Sequence, residues 1–216
     1  RKLTRETLEC RRETIEQARR GLRELARFDR SRMTDAERES AEVMQWQLQV
    51  IVDGEPFLDY DFPLDQFDGA NVRIPNLLTV VHPVRTESDA RNYVARLRVV
   101  DDRMAEAREE AGRLLGKNNR PPGFILQSPI SQMQQFVGSP AAQNPLVATF
   151  VERLNAVQAL TASQRQQLRD EATKVVESEV YPAWRKAIAL LEAQLKTATD
   201  VAGVWRDKGC AAVCGY

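Results

Sequence analysis

FPLDQFDGANVRIPNLLTVVHPVRTESDARNYVARL occupies residues 62–97 and contains the only histidine of the chain, His82. On either side the sequence reads as charged amphipathic helix. Within the stretch, Pro75 is expected to open a short apolar helix through Leu77, Leu78, Val80 and Val81. His82-Pro83 closes it, because a residue before proline is pushed out of the helical region. Thr86-Glu87-Ser88-Asp89 then caps a helix expected from about Glu87 to Lys117, with Tyr93, Leu97, Val100, Met104, Ala107, Ala111 and Leu114 along one face. Upstream, residues 53–76 show no helical period, and Pro56 and Pro63 forbid a continuous helix. Leu58, Tyr60, Phe62 and Leu64 alternate there in a way that permits a short extended piece.

Outward from this segment the chain is helical by pattern. Residues 1–30 carry Leu8, Ile15, Ala18, Leu22 and Leu25 on one face, with Phe28 and Met33 expected to cover the turn that follows. Thr34-Asp35-Ala36-Glu37 has the form of a capping box. The helix it starts is expected to run to about Val52, burying Val43, Met44, Leu48 and Ile51 or Val52. Pro121-Pro122 stop any helix, after which Phe124, Ile125 and Leu126 are expected to dock on the core. Ser128-Pro129 reads as a helix entry, and Leu146 to about Leu160 as a further helix. Thr161-Ala162-Ser163-Gln164 caps a long helix reaching about Lys196, with a kink expected at Pro182. The reading is all-α: a single helical unit over residues 1–216, with long amphipathic helices, one Pro-kinked helix near the C-terminus and an irregular loop around 53–76.

Thirty-one basic residues balance 31 acidic ones. Zero net charge argues against a general nucleic-acid or acidic-membrane binder, and no apolar run approaches the ~20 residues of a membrane span. The opening Arg1-Lys2-Leu3 has neither an initiator methionine nor an apolar export core, so the chain is expected to be part of something longer. Cys10, Cys210 and Cys214 are an odd set and read as free thiols, although Cys210 and Cys214 are close enough in sequence to pair.

Chemistry is scarce in the pattern. One histidine cannot supply the usual zinc ligand set, so His82 reads as a hydrogen-bonder that fixes its loop. No G-x-S-x-G elbow, dinucleotide fingerprint or P-loop occurs. The acids Asp53, Glu55, Asp59, Asp61, Asp65 and Asp68 do not have EF-hand spacing and read as a solvated acidic loop rather than a calcium site. Asp101-Asp102 and Glu109-Glu110 read as a solvated helix face. Arg11, Arg12, Arg19 and Arg20 read as ion pairs with Glu9, Glu13 and Glu16. Trp46, Trp184 and Trp205 read as core or groove lining. Residues alone therefore name no catalytic or metal-binding group.

An ordered set of short pieces adds a resemblance. Phe62-Pro63-Leu64, Gln66, Gly69, His82-Pro83 with Thr86 and Asp89, then Tyr93, Arg96 and Leu97 are followed by Pro121-Pro122-Gly123-Phe124, Val180-Tyr181-Pro182-Ala183, and Gly203-Val204-Trp205 with Gly209. In this order, from about residue 30 to 216, the chain resembles the bacterial family called domain of unknown function 885. It departs from that pattern at Asp207-Lys208, Cys210 and Cys214. The resemblance implies a large helix-rich zinc metallopeptidase of the thermolysin-like superfamily, often exported to the periplasm or carrying a lipoprotein leader. Its H-E-x-x-H helix would lie C-terminal of this sequence. On that reading zinc belongs to the longer parent and the partner is the C-terminal catalytic half of the same protein. A peptide-like substrate would meet a wall formed by residues 53–86, with Gln66, Gly69, His82 and Tyr93 as the candidate wall residues. The competing expectation is a stand-alone helical binding or scaffold protein.

Overall fold

The computed structural model describes residues 3–202. Among these residues the chain is all-α, with no strand. In order, the helices are α1 Leu8–Leu25, α2 Asp35–Asp53, α3 Ala70–Asn76, α4 Glu87–Leu97, α5 Val100–Gly116, α6 Gly123–Val137, α7 Pro145–Asn155, α8 Ala162–Val175 and α9 Tyr181–Leu195. Turns of 3-10 helix cover Arg30–Arg32, Glu55–Tyr60 and Ala141–Gln143, and π turns cover Leu77–Val81 and Val176–Val180.

Three threonine capping boxes set helix starts where the sequence announces them, at Thr34, Thr86 and Thr161. At Thr86 the short Asp89 side chain closes the box, its carboxylate accepting the Thr86 N–H at 3.0 Å while the Thr86 hydroxyl accepts the Asp89 N–H at 3.1 Å. Asn144 begins α7 differently. Fully buried, it accepts the Leu146 N–H at 3.0 Å and donates to the Phe136 carbonyl at 2.9 Å.

α8, its π turn and α9 form one continuous rod from Ala162 to Leu195. The Tyr181 N–H donates to the Val176 carbonyl, a five-residue step that widens the rod directly before Pro182. Proline lacks the donor for the Ser178 carbonyl, and the wider turn relieves its ring against that carbonyl. Where a kink is expected at Pro182, the rod carries a π turn. α4 and α7 lie against α8, whereas α5 and α6 lie against α9. Trp184 is fully buried on the rod, stacked on Phe136 at 4.9 Å. One cluster of buried residues runs from Leu3 through Leu97, Met104, Leu126 and Phe150 to Leu191.

Several expected boundaries move, each for a packing reason. The single helix expected over 87–117 breaks at Val99, whose ψ of 5° lets α4 and α5 follow successive halves of the rod. α6 starts at Gly123 and carries Pro129 inside it, because Pro121-Pro122 end the loop and the Gly123 N–H is held by the Thr199 carbonyl at 3.1 Å. Of the residues expected to dock there, Leu126 is buried, Ile125 half-buried and Phe124 exposed. α7 stops at Asn155, short of Leu160. The irregular 53–76 loop contains a 3-10 turn in place of any extended piece. Its last part is already helix, since α3 begins at Ala70 and not at Pro75. Gly69 makes that earlier start possible: a Cβ there would lie 2.3 Å from the Asp65 amide nitrogen and 2.5 Å from Asn71 Oδ1.

The acids of the loop are half-exposed to exposed, and four of the six are also paired. Asp59 meets Arg113 and Lys117 at 2.6 Å each, Glu55 meets Arg19, Asp61 meets Arg11 at 3.2 Å and Asp68 meets Arg73 at 3.6 Å. Glu110, expected on a solvated face, is buried and grips Arg113 at 2.6 Å. Arg19 also pairs with Glu16 within α1, as the helical spacing suggests. The largest departure is the α1–α2 hairpin. Ile15, Ala18 and Ala41 close its seam, yet Val43, Met44, Trp46, Val50 and Ile51 are exposed, as is Phe28 at the turn. Trp205, Cys210, Cys214 and the Gly203-Val204-Trp205 turn lie outside the described residues. Among those described, no helix is long and apolar enough to cross a membrane.

Candidate functional site

α3 and its π turn give residues 62–86 their shape. The Ala70 N–H donates to the Pro63 carbonyl at 2.9 Å and the Asn71 side chain to the Asp65 carbonyl at 2.9 Å, closing the turn that carries Gln66 and Gly69. Gly69 is buried, Gln66 half-exposed, and Phe67 between them is 79% exposed. After Pro75 the helix widens, with the His82 N–H donating to the Leu77 carbonyl at 2.8 Å. The widening turns Leu78 into the core and leaves Val80 and Val81 outside. The short apolar helix expected through these residues thus ends at His82 as a π turn with only part of its apolar surface covered.

Beside the π turn runs an open groove of about 380 Å³ lined by Leu3, Thr4, Glu6, Asp68, Arg73 and Val81, among others. Its charged element is internally matched. The Arg73 guanidinium donates to the Glu6 carboxylate and to the Asp68 carbonyl. The Glu6 N–H in turn donates to Glu106 at 2.7 Å. The floor is thus fixed, with two carboxylates sharing one guanidinium and Val81 at one lip.

His82 and Tyr93 stand behind this lip, both buried. Their rings meet edge to face at 5.2 Å. Arg96 donates to His82 Nδ1. A guanidinium has no acceptor, so Nδ1 is the unprotonated nitrogen and the ring proton sits on Nε2, which faces the Asp89 carbonyl at 3.1 Å. Both ring nitrogens are committed to the fold. Tyr93 stacks on Phe150 at 4.3 Å and donates to the Leu146 carbonyl at 2.7 Å, and burial pushes its phenol well above the ordinary range. Asp89 is held below the ordinary carboxylate range by the Arg85 backbone N–H and then by Thr86.

Of the four candidate wall residues, two form this buried brace and two shape the neighbouring turn. Sequence reading missed Arg153, which donates to the His82 carbonyl at 2.6 Å and to the Thr79 carbonyl. These are carbonyls that a helix end leaves without intrahelical partners. The signal available was slight, since Arg153 is the one base of α7 and has Glu152 beside it. Chemically the assembly is a rigid support that presents Phe67, Val80, Val81 and fixed backbone, without a free base or nucleophile at its centre. Among the described residues no group of three His, Cys, Asp or Glu is placed to hold a metal ion. The described residues do not fit a zinc site.

The family profile for "Bacterial protein of unknown function (DUF885)" matches residues 1–211. The chain belongs to the DUF885 family. The match reaches back through α1 and the hairpin, beyond the point near residue 30 where the resemblance was expected to begin. No curated protein sequence matches. Among solved structures, a Colwellia psychrerythraea protein described as a lipoprotein shares the fold, with a TM-score of 0.80 at 24% identity over 95% of this chain. This DUF885 chain spans only 36% of that protein's length.

Proposed function

We propose that this DUF885 chain is the N-terminal helical portion of a zinc-dependent peptidase or related hydrolase, forming one wall of the substrate cleft and hydrolysing nothing by itself. The observation that carries the reading is the groove beside the π turn. Val81 lines it, and solvent-facing Val80 and Val81 are held on a backbone that His82, Arg96 and Arg153 lock from behind, with exposed Phe67 on the neighbouring turn. An apolar lip on a fixed, irregular backbone suits a peptide-like ligand, and π turns recur at functional sites. In this proposal Gln66 and Gly69 shape the edge of the wall, while His82 and Tyr93 are positioning residues. The shared fold with a much longer protein supports a role as part of a larger whole. The lipoprotein description of that relative supports an exported or periplasmic setting. Zinc and its ligands belong to the catalytic half that would pack against this one.

The test has two arms. Residues 1–216 with added zinc are expected to show no peptidase turnover, whereas the full gene product is expected to turn over peptides in a chelator-sensitive way. In that full product, Phe67→Ala with Val81→Ser is expected to raise KM about tenfold with kcat little changed, the mark of lost ground-state binding. Unchanged KM would remove the wall assignment, and chelator-resistant turnover would remove zinc. The competing reading, a helical binding or scaffold protein, draws support from the uncovered apolar face of α2.

A further inference from the structure

α2 is apolar on two sides. Ala41 and Leu48 face α1: Ala41 is buried, and a Cβ on Gly21 of α1 would lie 3.0 Å from Leu48 Cδ1, so glycine is what lets the two helices meet there. At about 100° per residue, Val43, Trp46 and Val50 fall about 180° away from that seam. They are spaced i, i+3 and i+7, the repeat of one helix packing along another. Trp46 is 67% exposed and its two neighbours are also exposed. None of the three belongs to the core cluster. At the hairpin tip, Leu25, Phe28, Met33, Ala36 and Met44 line a second apolar hollow, an open one of about 920 Å³. A helix with apolar stripes on opposite sides is a helix packed on both sides.

The charges on α2 select the occupant. Asp35, Glu37, Glu39, Glu42 and Asp53 stand against Arg38 alone. A second copy pairing through this stripe brings acid onto acid. In the antiparallel arrangement centred on Trp46, Glu39 approaches Asp53 of its mate, and in the parallel arrangement each acid meets itself. An amphipathic helix with an apolar face and basic edges meets no such repulsion. The similar Colwellia protein is far longer than this fold, so a chain of that length has ample further polypeptide to supply such a helix. We infer that the Val43–Trp46–Val50 face of α2 is the seat for a basic-edged amphipathic helix from the polypeptide that DUF885 chains of that length carry beyond this fold. The inference rests on the reading of this chain as part of a longer protein and adds where the remainder docks.

Hydroxyl-radical footprinting of Trp46 and Met44 tests it, comparing residues 1–216 with the full gene product, each at matched low concentration with its mass checked by ultracentrifugation. Burial at the centre of an interface is expected to slow Trp46 oxidation about tenfold in the longer protein. Val43→Asp with Val50→Asp, both on the solvent side of α2, is expected to restore the fast rate while leaving the helical circular dichroism of residues 1–216 unchanged. Equal oxidation in both proteins overturns the inference. So does protection already present in residues 1–216 alone, as monomer or as dimer. A longer protein that hydrolyses peptides yet leaves Trp46 open removes this inference and leaves the proposed function standing. Protection without any metal-dependent turnover does the reverse. A reading frame closing at Tyr216 removes both.

Discussion

His82 and Arg96 are joined in one hydrogen bond in which the imidazole can only accept and the guanidinium can only donate. With Nε2 on the Asp89 carbonyl, that bond ties the end of the π turn to the first and last turns of α4. His82→Ala removes both bonds and the edge contact with Tyr93, and is expected to cost about 2–4 kcal/mol. His82→Phe keeps a ring against Tyr93 and loses only the polar partners, for an expected cost of about 1–3 kcal/mol. Urea unfolding of the two variants separates packing from hydrogen bonding. Equal losses would assign the whole effect to the polar partners.

Arg153 satisfies the Thr79 and His82 carbonyls from α7. Arg153→Met keeps much of the aliphatic bulk and removes the donors, with an expected loss of about 2–3 kcal/mol. Amide exchange is expected to quicken in residues 77–86 well before it does in α8 and α9. Uniform quickening would show that Arg153 supports the whole fold and not this corner.

Asp59 titrates under the influence of Lys117 first and Arg113 second, and both hold its carboxylate below the ordinary range. A carboxyl whose folded pKa is depressed contributes stability above its unfolded pKa and loses that contribution as pH falls through the folded value. The loss is therefore expected below about pH 4. Asp59→Asn should flatten that acid limb while costing only about 0.5–1 kcal/mol at neutral pH, because the site is partly solvated and screened. Urea midpoints from pH 7 to pH 2 read this directly. An unaltered acid limb would exclude Asp59 as its source.

Gly69 and Gly112 are expected to respond oppositely to alanine. At Gly69 the new Cβ collides with backbone, so the turn carrying Gln66 must move, at about 2–4 kcal/mol. At Gly112, inside α5, a Cβ meets nothing within 4 Å, and the better helix former is expected to gain about 0.5–1 kcal/mol. Thermal melts of both variants decide. A stabilised Gly69→Ala would show that the turn rearranges freely.

Local signals carried most of the architecture. The threonine capping boxes, the double proline at 121–122 and the proline in the last helix each produce their effect through bonds to near neighbours, and each is found where the sequence puts it. What escaped depends on partners far away in the chain. Val99 bends only because α4 and α5 must follow two halves of one rod. Glu110 is buried beside Arg113, whose guanidinium is held in place by Asp59 from 54 residues earlier. α2 looked like a helix with one buried face because apolar residues do not announce which neighbour covers them. At the candidate site, His82 was legible as a residue that fixes its loop, since a lone histidine beside proline has little else to do. Arg96 and Arg153, which make the fixing effective, come from α4 and α7, and no local spacing links them.

The unbroken rod from Ala162 to Leu195 also governs the order of events during synthesis. The faces of α4 and α5 wait for residues that leave the ribosome some 80 residues later, at about 5–20 residues per second. Until then those apolar faces lack the rod and keep only partial cover, such as Phe150 on Tyr93, while the α1–α2 hairpin, whose contacts are close in sequence, is free to close early. Stop codons placed before Leu191 should therefore yield aggregates and not smaller soluble domains, and chaperone dependence should end only when the last helix is made.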